Sequence, residues 1–134
     1  MKINLIYVGK KRQRETDRLT LLYAERIQHY ASFQIRAIKS EAVAKHYSTA
    51  FRIVVDPHGE QMTSIAFSKL LERAGNEIIF FIGGSNGFSD AFRNNADHLL
   101  SLSKMTFPHE LARVVLVEQI YRAFTILSNH PYPR

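Results

Sequence analysis

Residues 78–134 read IIFFIGGSNGFSDAFRNNADHLLSLSKMTFPHELARVVLVEQIYRAFTILSNHPYPR, and this stretch says more about the architecture than the rest of the chain. It opens on Ile78 to Ile82, apolar at every position. A strand apolar on both faces belongs in the middle of a sheet that is covered above and below. Bulk then gives way to the turn Gly83-Gly84-Ser85-Asn86-Gly87. Ser89 offers an N-cap for a short helix to about Ala96. A second apolar stretch, His98 to Ser103, runs into Lys104-Met105-Thr106-Phe107-Pro108-His109. From about Glu110 to Ser128 the sequence predicts a long helix, with Pro108 at its start. Two strand-to-helix loops poor in branched side chains therefore sit at the carboxyl ends of parallel strands, where α/β sheets gather small ligands.

Working outward, Lys2 to Val8 has the content of a buried strand, and Gly9 ends it. From about Gln13 to Ala31, Leu19, Leu22, Tyr23, Ile27 and Tyr30 recur at threes and fours, as on an amphipathic helix. Phe33 to Lys39 alternates apolar and polar, the pattern of a half-exposed strand near a sheet edge. Glu41 to Thr49 fits a short helix or a connector equally. Phe51 to Asp56 predicts a third strand, closed by a turn at Asp56-Pro57-His58-Gly59. Thr63 or Ser64 caps a helix through Leu71 that Gly75-Asn76 ends. The alternation predicts an α/β fold: a mostly parallel sheet with helices on both faces, in one domain spanning residues 1–134.

The bulk composition narrows the function. Apolar residues make up 46% of 134, enough for a sizeable core and too many for disorder. Cysteine is absent, so disulfides and thiolate metal sites are excluded. The opening Met1-Lys2-Ile3-Asn4 is unlike a signal peptide, and no apolar run reaches membrane-spanning length, so a cytoplasmic protein is expected. The formal charge is +6, and Lys2, Lys10, Lys11, Arg12 and Arg14 all precede the first acid, Glu15. Such a surplus favours a polyanionic partner, nucleic acid above all. Lys10, Lys11, Arg12 and Arg14 are the candidates for phosphate contacts; the alternative is a solvated loop.

The glycine turn is neither a P-loop, since no Gly-Lys-Ser/Thr follows, nor a dinucleotide fingerprint, since the spacing differs and it follows the fourth strand. It offers close backbone approach with free amides and carbonyls, suited to an uncharged or zwitterionic ligand such as a nucleoside, or else it is a plain tight turn. The loop Ser103 to Pro108 adds the Thr106 hydroxyl and the apolar walls Met105 and Phe107. None of the six histidines pairs at metal-ligand spacing, so no metal is assigned. His109 and His130 flank the last helix, and Glu118 and Arg122 stand one turn apart, suiting an ion pair. On that helix Leu111, Val114, Val115, Val117, Ile120, Tyr121, Phe124 and Leu127 cover most of the circumference. A helix apolar nearly all round is buried on several sides, which predicts a homodimer with this helix in the interface; the alternative is burial within one subunit.

Ile82-Gly83-Gly84, Leu100-Ser101-Leu102-Ser103, Met105-Thr106-Phe107-Pro108-His109, Glu118 with Tyr121-Arg122-Ala123, and Asn129-His130-Pro131-Tyr132 together resemble the bacterial large-subunit rRNA pseudouridine N3-methyltransferases. These are the small single-domain members of the SPOUT superfamily. The resemblance extends over almost the whole chain and is densest from Ile78 onward. It implies a trefoil knot near the C terminus, S-adenosylmethionine as cofactor, and an obligate dimer with the active site at the interface. It also implies a pseudouridine of 23S rRNA on the assembled ribosome as substrate. The family's cofactor positions fall on Val55, Gly84, Ser103, Lys104, Met105, Thr106, Phe107 and Pro108, with Gly83 adjacent. For the chemistry so implied, a cation such as Arg122 or Arg134 would stabilise the uracil anion, His130 would relay a proton and Tyr132 would position the base. Two departures stand out: the connector between Lys39 and Arg52 is short, and Pro133 follows Tyr132 where the family pattern has a histidine. Rival readings are a methyltransferase of this fold on another RNA, and a catalytically silent RNA-binding or ribosome-assembly factor.

Overall fold

The computed structural model describes residues 1–9, 14–46 and 49–133, with backbone alone for 14, 45 and 46. In chain order the elements are β1 (Lys2–Val8), α1 (Arg14–Ile27), β2 (Ser32–Ile38), a 3-10 turn (Glu41–His46), β3 (Phe51–Glu60), α2 (Ser64–Arg73), β4 (Glu77–Ile82), α3 (Asp90–Asn94), β5 (His98–Leu100) and α4 (His109–Leu127). The strands form one sheet in the order β2-β1-β4-β3-β5, and every neighbouring pair is parallel.

The centre goes to β4, whose Ile78 to Phe81 are wholly buried. With β1 on one side and β3 on the other, both its faces need apolar cover, which is why its sequence does not alternate. The strand pleat divides the core in two. Ile3, Leu5, Ile78 and Phe80 point to one face, against Ile27 of α1, Leu70 and Leu71 of α2, and Leu116, Val117 and Ile120 of α4. Ile6, Ile79 and Phe81 point to the other, where Ala44 and Phe92 of the short elements meet them. Helices thus cover both faces, three long ones on one side and one short one on the other. The alternating β2 lies at an edge, as its pattern predicts.

Two expectations need correcting. The turn at Asp56 to Gly59 does not end β3; the strand continues to Glu60 through a register shift that re-pairs Glu60 with Leu100. Gly59 is there because β3 presses against β5: a Cβ would lie 2.6 Å from the Leu99 carbonyl carbon, so no side chain fits. Asp-Pro-His-Gly keeps local turn chemistry, the Asp56 carboxylate accepting from the His58 amide (3.0 Å), but it forms a bulge beyond which the strand resumes. The fifth strand is shorter than His98 to Ser103 suggests: after Leu100 the Ser101 amide still bonds to the Glu60 carbonyl (2.9 Å), then the chain turns. Helix α4 is mostly buried within its own subunit, between α1 and α2 and over the sheet. Most of its apolar circumference is thus covered within the chain, and an outer stripe, including exposed Leu111 and half-buried Val114 and Val115, is left uncovered.

Candidate functional site

The loops after β4 and β5 converge with the bulged end of β3 on a cavity of about 450 Å³. One wall is Gly83, Gly84, Ser85 and Gly87; the opposite wall is Ser101 to Ser103 and Met105 to Pro108; Val55 to Pro57 close a third side. Its volume is in the range of small-molecule sites. Its chemistry is mainly apolar side chain and exposed main chain, with Met105 77% and Phe107 39% exposed. Pro108 caps α4 without a side-chain hydrogen bond, and His109 and Ala112 of the first turn complete the lining.

The glycine wall is tight for a local reason. The Gly87 amide donates to the Gly84 carbonyl (3.0 Å), and Gly87 has φ of 66°, a left-handed conformation that glycine adopts without strain. A Cβ on Gly83 would come within 3.0 Å of the Gly87 Cα, whereas one on Gly84 would meet the Val8 carbonyl oxygen at an ordinary 3.5 Å. The facing loop is tied by its serines: the Ser101 hydroxyl donates to the Ser103 carbonyl (3.0 Å), and the Ser103 hydroxyl accepts from the Met105 amide (2.9 Å).

Charged contacts hold this frame from behind. Asp56, 6% exposed, pairs with Arg93 of α3 and accepts from the His58 amide (3.0 Å). Glu41 accepts from the Ser89 amide (2.8 Å) at the start of α3. The Arg52 guanidinium lies over the rings of Phe81 and Phe92, 4.8 and 5.3 Å from their centroids. Burial lowers its pKa, and Asp97 opposes that shift. The glycine loop and α3 are thereby fixed to β3 and to the 3-10 turn.

A second cluster forms at the far end of α4. Asn129 takes φ of 57°, and the next two amides turn back: Asn129 donates to Ile126 (3.3 Å) and His130 to Thr125 (2.9 Å). This is a Schellman ending with asparagine in the place usually held by glycine. It returns the tail along the helix. Tyr132 packs edge-on against Tyr121 (4.7 Å between centroids), and its hydroxyl donates to the Glu118 carboxylate (2.8 Å). Arg122 grips the same carboxylate through two nitrogens (2.7 and 3.2 Å), bonds to the Pro133 carbonyl and lies 5.0 Å from the Tyr132 centroid. The bond to Glu118 raises the Arg122 pKa; burial raises that of Tyr132, with its hydrogen bonds to Tyr23 and Glu118 adding to it.

The sequence candidates thus fall into separate groups. Val55, Gly83, Gly84, Ser103, Met105, Thr106, Phe107 and Pro108 all line the cavity, whereas Lys104 points to solvent and is not among its walls. Arg122 and Tyr132 meet each other in the tail cluster, and His130 sits exposed at the turn. Ala112 and Arg122 are ten residues apart on α4, on the order of 15 Å along its axis, so one chain does not bring cavity and tail together. Lys10, Lys11, Arg12 and Arg134 lie outside the described residues, and Arg14 starts α1 with its side chain undescribed. Sequence reasoning missed Asp56 and Pro57 as lining, having read them as a turn, and missed Glu118 as the hub of the tail. Its spacing to Arg122 signalled the ion pair, and nothing local signalled Tyr132. Among the described residues no group of three or more His, Asp or Glu could hold a metal ion, and no helix is long and apolar enough to cross a membrane.

Comparison with known proteins agrees with this geometry. The family described as "Predicted SPOUT methyltransferase" matches residues 1–133. The ribosomal RNA large subunit methyltransferase H of Solibacter usitatus is 43% identical, over 100% of both chains. The tRNA (m1G37) methyltransferase of Aquifex aeolicus has a similar fold, with TM-score 0.61 at 12% identity, covering 100% of this chain and 75% of that one. The methyltransferase AviRb of Streptomyces viridochromogenes, solved with AdoMet, gives TM-score 0.53 at 12% identity over 90% of this chain, which spans 56% of AviRb.

Proposed function

Because this chain belongs to the SPOUT methyltransferase family, we propose that it methylates N3 of a pseudouridine in 23S rRNA on the assembled ribosome, with S-adenosylmethionine as donor. The relative that matches end to end carries the name of a large-subunit rRNA methyltransferase, which supports the substrate class. The observation that carries the reading is the convergence of the glycine loop and the Ser101–Pro108 loop on one cavity. The residues fit the donor. Main-chain groups at Gly83, Gly84 and Ser103 to Phe107 suit the hydrogen-bonding edges of a nucleoside, and Met105 and Phe107 supply apolar walls. When bound, the donor supplies an electrophilic methyl on a sulfonium.

The chain's own task is to orient the base and favour the loss of its N3 proton, because an imide nitrogen has a free lone pair only then. Orientation is worth several kcal/mol. The Arg122 guanidinium is the cation suited to stabilise the developing uracil anion, with Tyr132 beside it to position the base. Since the cavity and this pair are separated along α4, the reading includes a homodimer in which one subunit's tail completes the other's cavity, with the outer stripe of α4 in the interface. It also includes the family's trefoil knot near the C terminus. Phosphate contacts from the basic segment between β1 and α1 are expected to weaken steeply with salt.

The test is mass spectrometry of 23S rRNA from cells lacking the protein, with purified protein and labelled donor added back to ribosomes. One methylated pseudouridine should vanish and return. An unchanged rRNA, with no single-turnover transfer, would instead favour a silent RNA-binding factor, the reading to which Pro133 lends weight.

A further inference from the structure

The N3 proton needs a destination, and the residue after Tyr132 is Pro133, which has no side-chain proton acceptor. Its carbonyl is already engaged by Arg122. His130 is exposed at the helix end. The Tyr132 hydroxyl instead donates to Glu118 Oε2 at 2.8 Å, with the Tyr23 hydroxyl more distant at 3.5 Å.

We infer that Glu118 receives the N3 proton through Tyr132. The inference rests on the proposed function and adds the missing acceptor to it. Arg122 holds the carboxylate through two nitrogens, which fixes its direction. The groups facing Glu118 are Arg122 and the Gln119 amide on its own helix, Tyr132 from the tail, and Tyr23 from α1, with Arg26 over the Tyr23 and Tyr121 rings. Among the described residues these contacts bring no second carboxylate to Glu118.

The step balances. N3 forms its bond to the methyl carbon as that carbon's bond to sulfur breaks and the bonding pair goes to sulfur. The N3 proton passes to the Tyr132 oxygen while the phenol proton passes to Glu118. One positive charge is lost at sulfur and one negative charge at the carboxylate. Glu118 never touches the base; it positions the phenol and ends the proton's path.

The experiment compares wild type, Glu118→Gln, Glu118→Asp, Tyr132→Phe and the Gln/Phe double variant as full-length protein, on ribosomes across a pH series. Donor binding by calorimetry and assembly state by sedimentation are measured in parallel. Expected are a loss of at least about tenfold in kcat for Glu118→Gln, with donor affinity and assembly unchanged, and partial recovery with Asp. The rate of the Gln variant should climb about tenfold per pH unit as hydroxide takes over, while wild type stays flat. The double variant should be no worse than the poorer single one, as for residues acting as a unit. Tyrosinate absorbance gives a readout independent of turnover: removing the Glu118 charge should let Tyr132 ionise at lower pH. Wild-type turnover in Glu118→Gln, a pH profile parallel to wild type, or loss of donor binding or assembly would each overturn the inference. Wild-type protein that transfers no methyl would instead defeat the underlying function.

Discussion

The cavity and the tail cluster lie toward opposite ends of the same helix and are made of different material. The cavity is exposed main chain and mainly apolar side chains: glycines and serines with Leu102, Met105 and Phe107 at the ends of three neighbouring strands, its polar groups being largely amides and carbonyls. The tail is almost entirely side chain: a carboxylate, a guanidinium and phenols brought together from α1, α4 and the last residues. A site of main chain is protected by the sheet behind it and vulnerable to any added bulk. A site of side chains tolerates local bulk and fails when one charged partner is removed. The two should therefore respond to mutation in separable ways.

The largest separation is expected from Arg122→Met. Removing a cation that stabilises developing charge lowers turnover by about 100- to 1,000-fold. Calorimetry should find the donor affinity unchanged; a matching loss of affinity would show that the two regions are not distinct. Next is Gly83→Val, whose Cβ must push aside the Gly87 backbone. Overpacking of about 1–3 kcal/mol weakens donor binding by up to about a hundredfold. Gly84→Ala, with room for a methyl against Val8, should bind nearly as wild type. If the two glycines respond alike, the close approach of Gly83 to Gly87 is not what shapes the wall.

A smaller effect is expected in alkali. The Tyr132 phenol is held above its ordinary pKa of 10.0, chiefly by burial. The folded protein then keeps a proton that the unfolded chain loses, so the stabilisation is complete below pH 10 and declines as pH rises above it. Urea melts of wild type and Tyr132→Phe should converge above that pH, and parallel curves would place the phenol outside the folded packing. The smallest effect is expected from Lys104→Ala. Its side chain is exposed and outside the cavity walls, so donor affinity should stay within about twofold, as for surface changes away from special features.

Legibility in the sequence follows the same division. Ile78 to Ile82 announces a central strand because a strand buried on both faces has no polar positions, and Gly83 to Gly87 announces a turn because only small residues permit it. Both signals are local. Asp56 to Gly59 carries an equally local signal, which marks a break in pairing but not the strand's end, because β3 pairs with β5 again at Glu60. The contact of Glu118 with Tyr132 joins α4 to a tail that first leaves it, so no periodicity records it. The apolar circumference of α4 is real, but its cover comes from α1 and α2 of the same chain, which a helical wheel does not represent.

Asn129 gives the tail its heading. One residue in a left-handed conformation turns the last residues back toward the helix they have just left, and Tyr132 reaches Glu118 and Arg122 only on that bearing. The polypeptide behaves there like a hinged arm with a single pin: an extra residue at the joint would re-aim the tail without altering any group it carries. The length of the segment from Asn129 to Tyr132 is thus as much a part of its chemistry as the identity of its side chains.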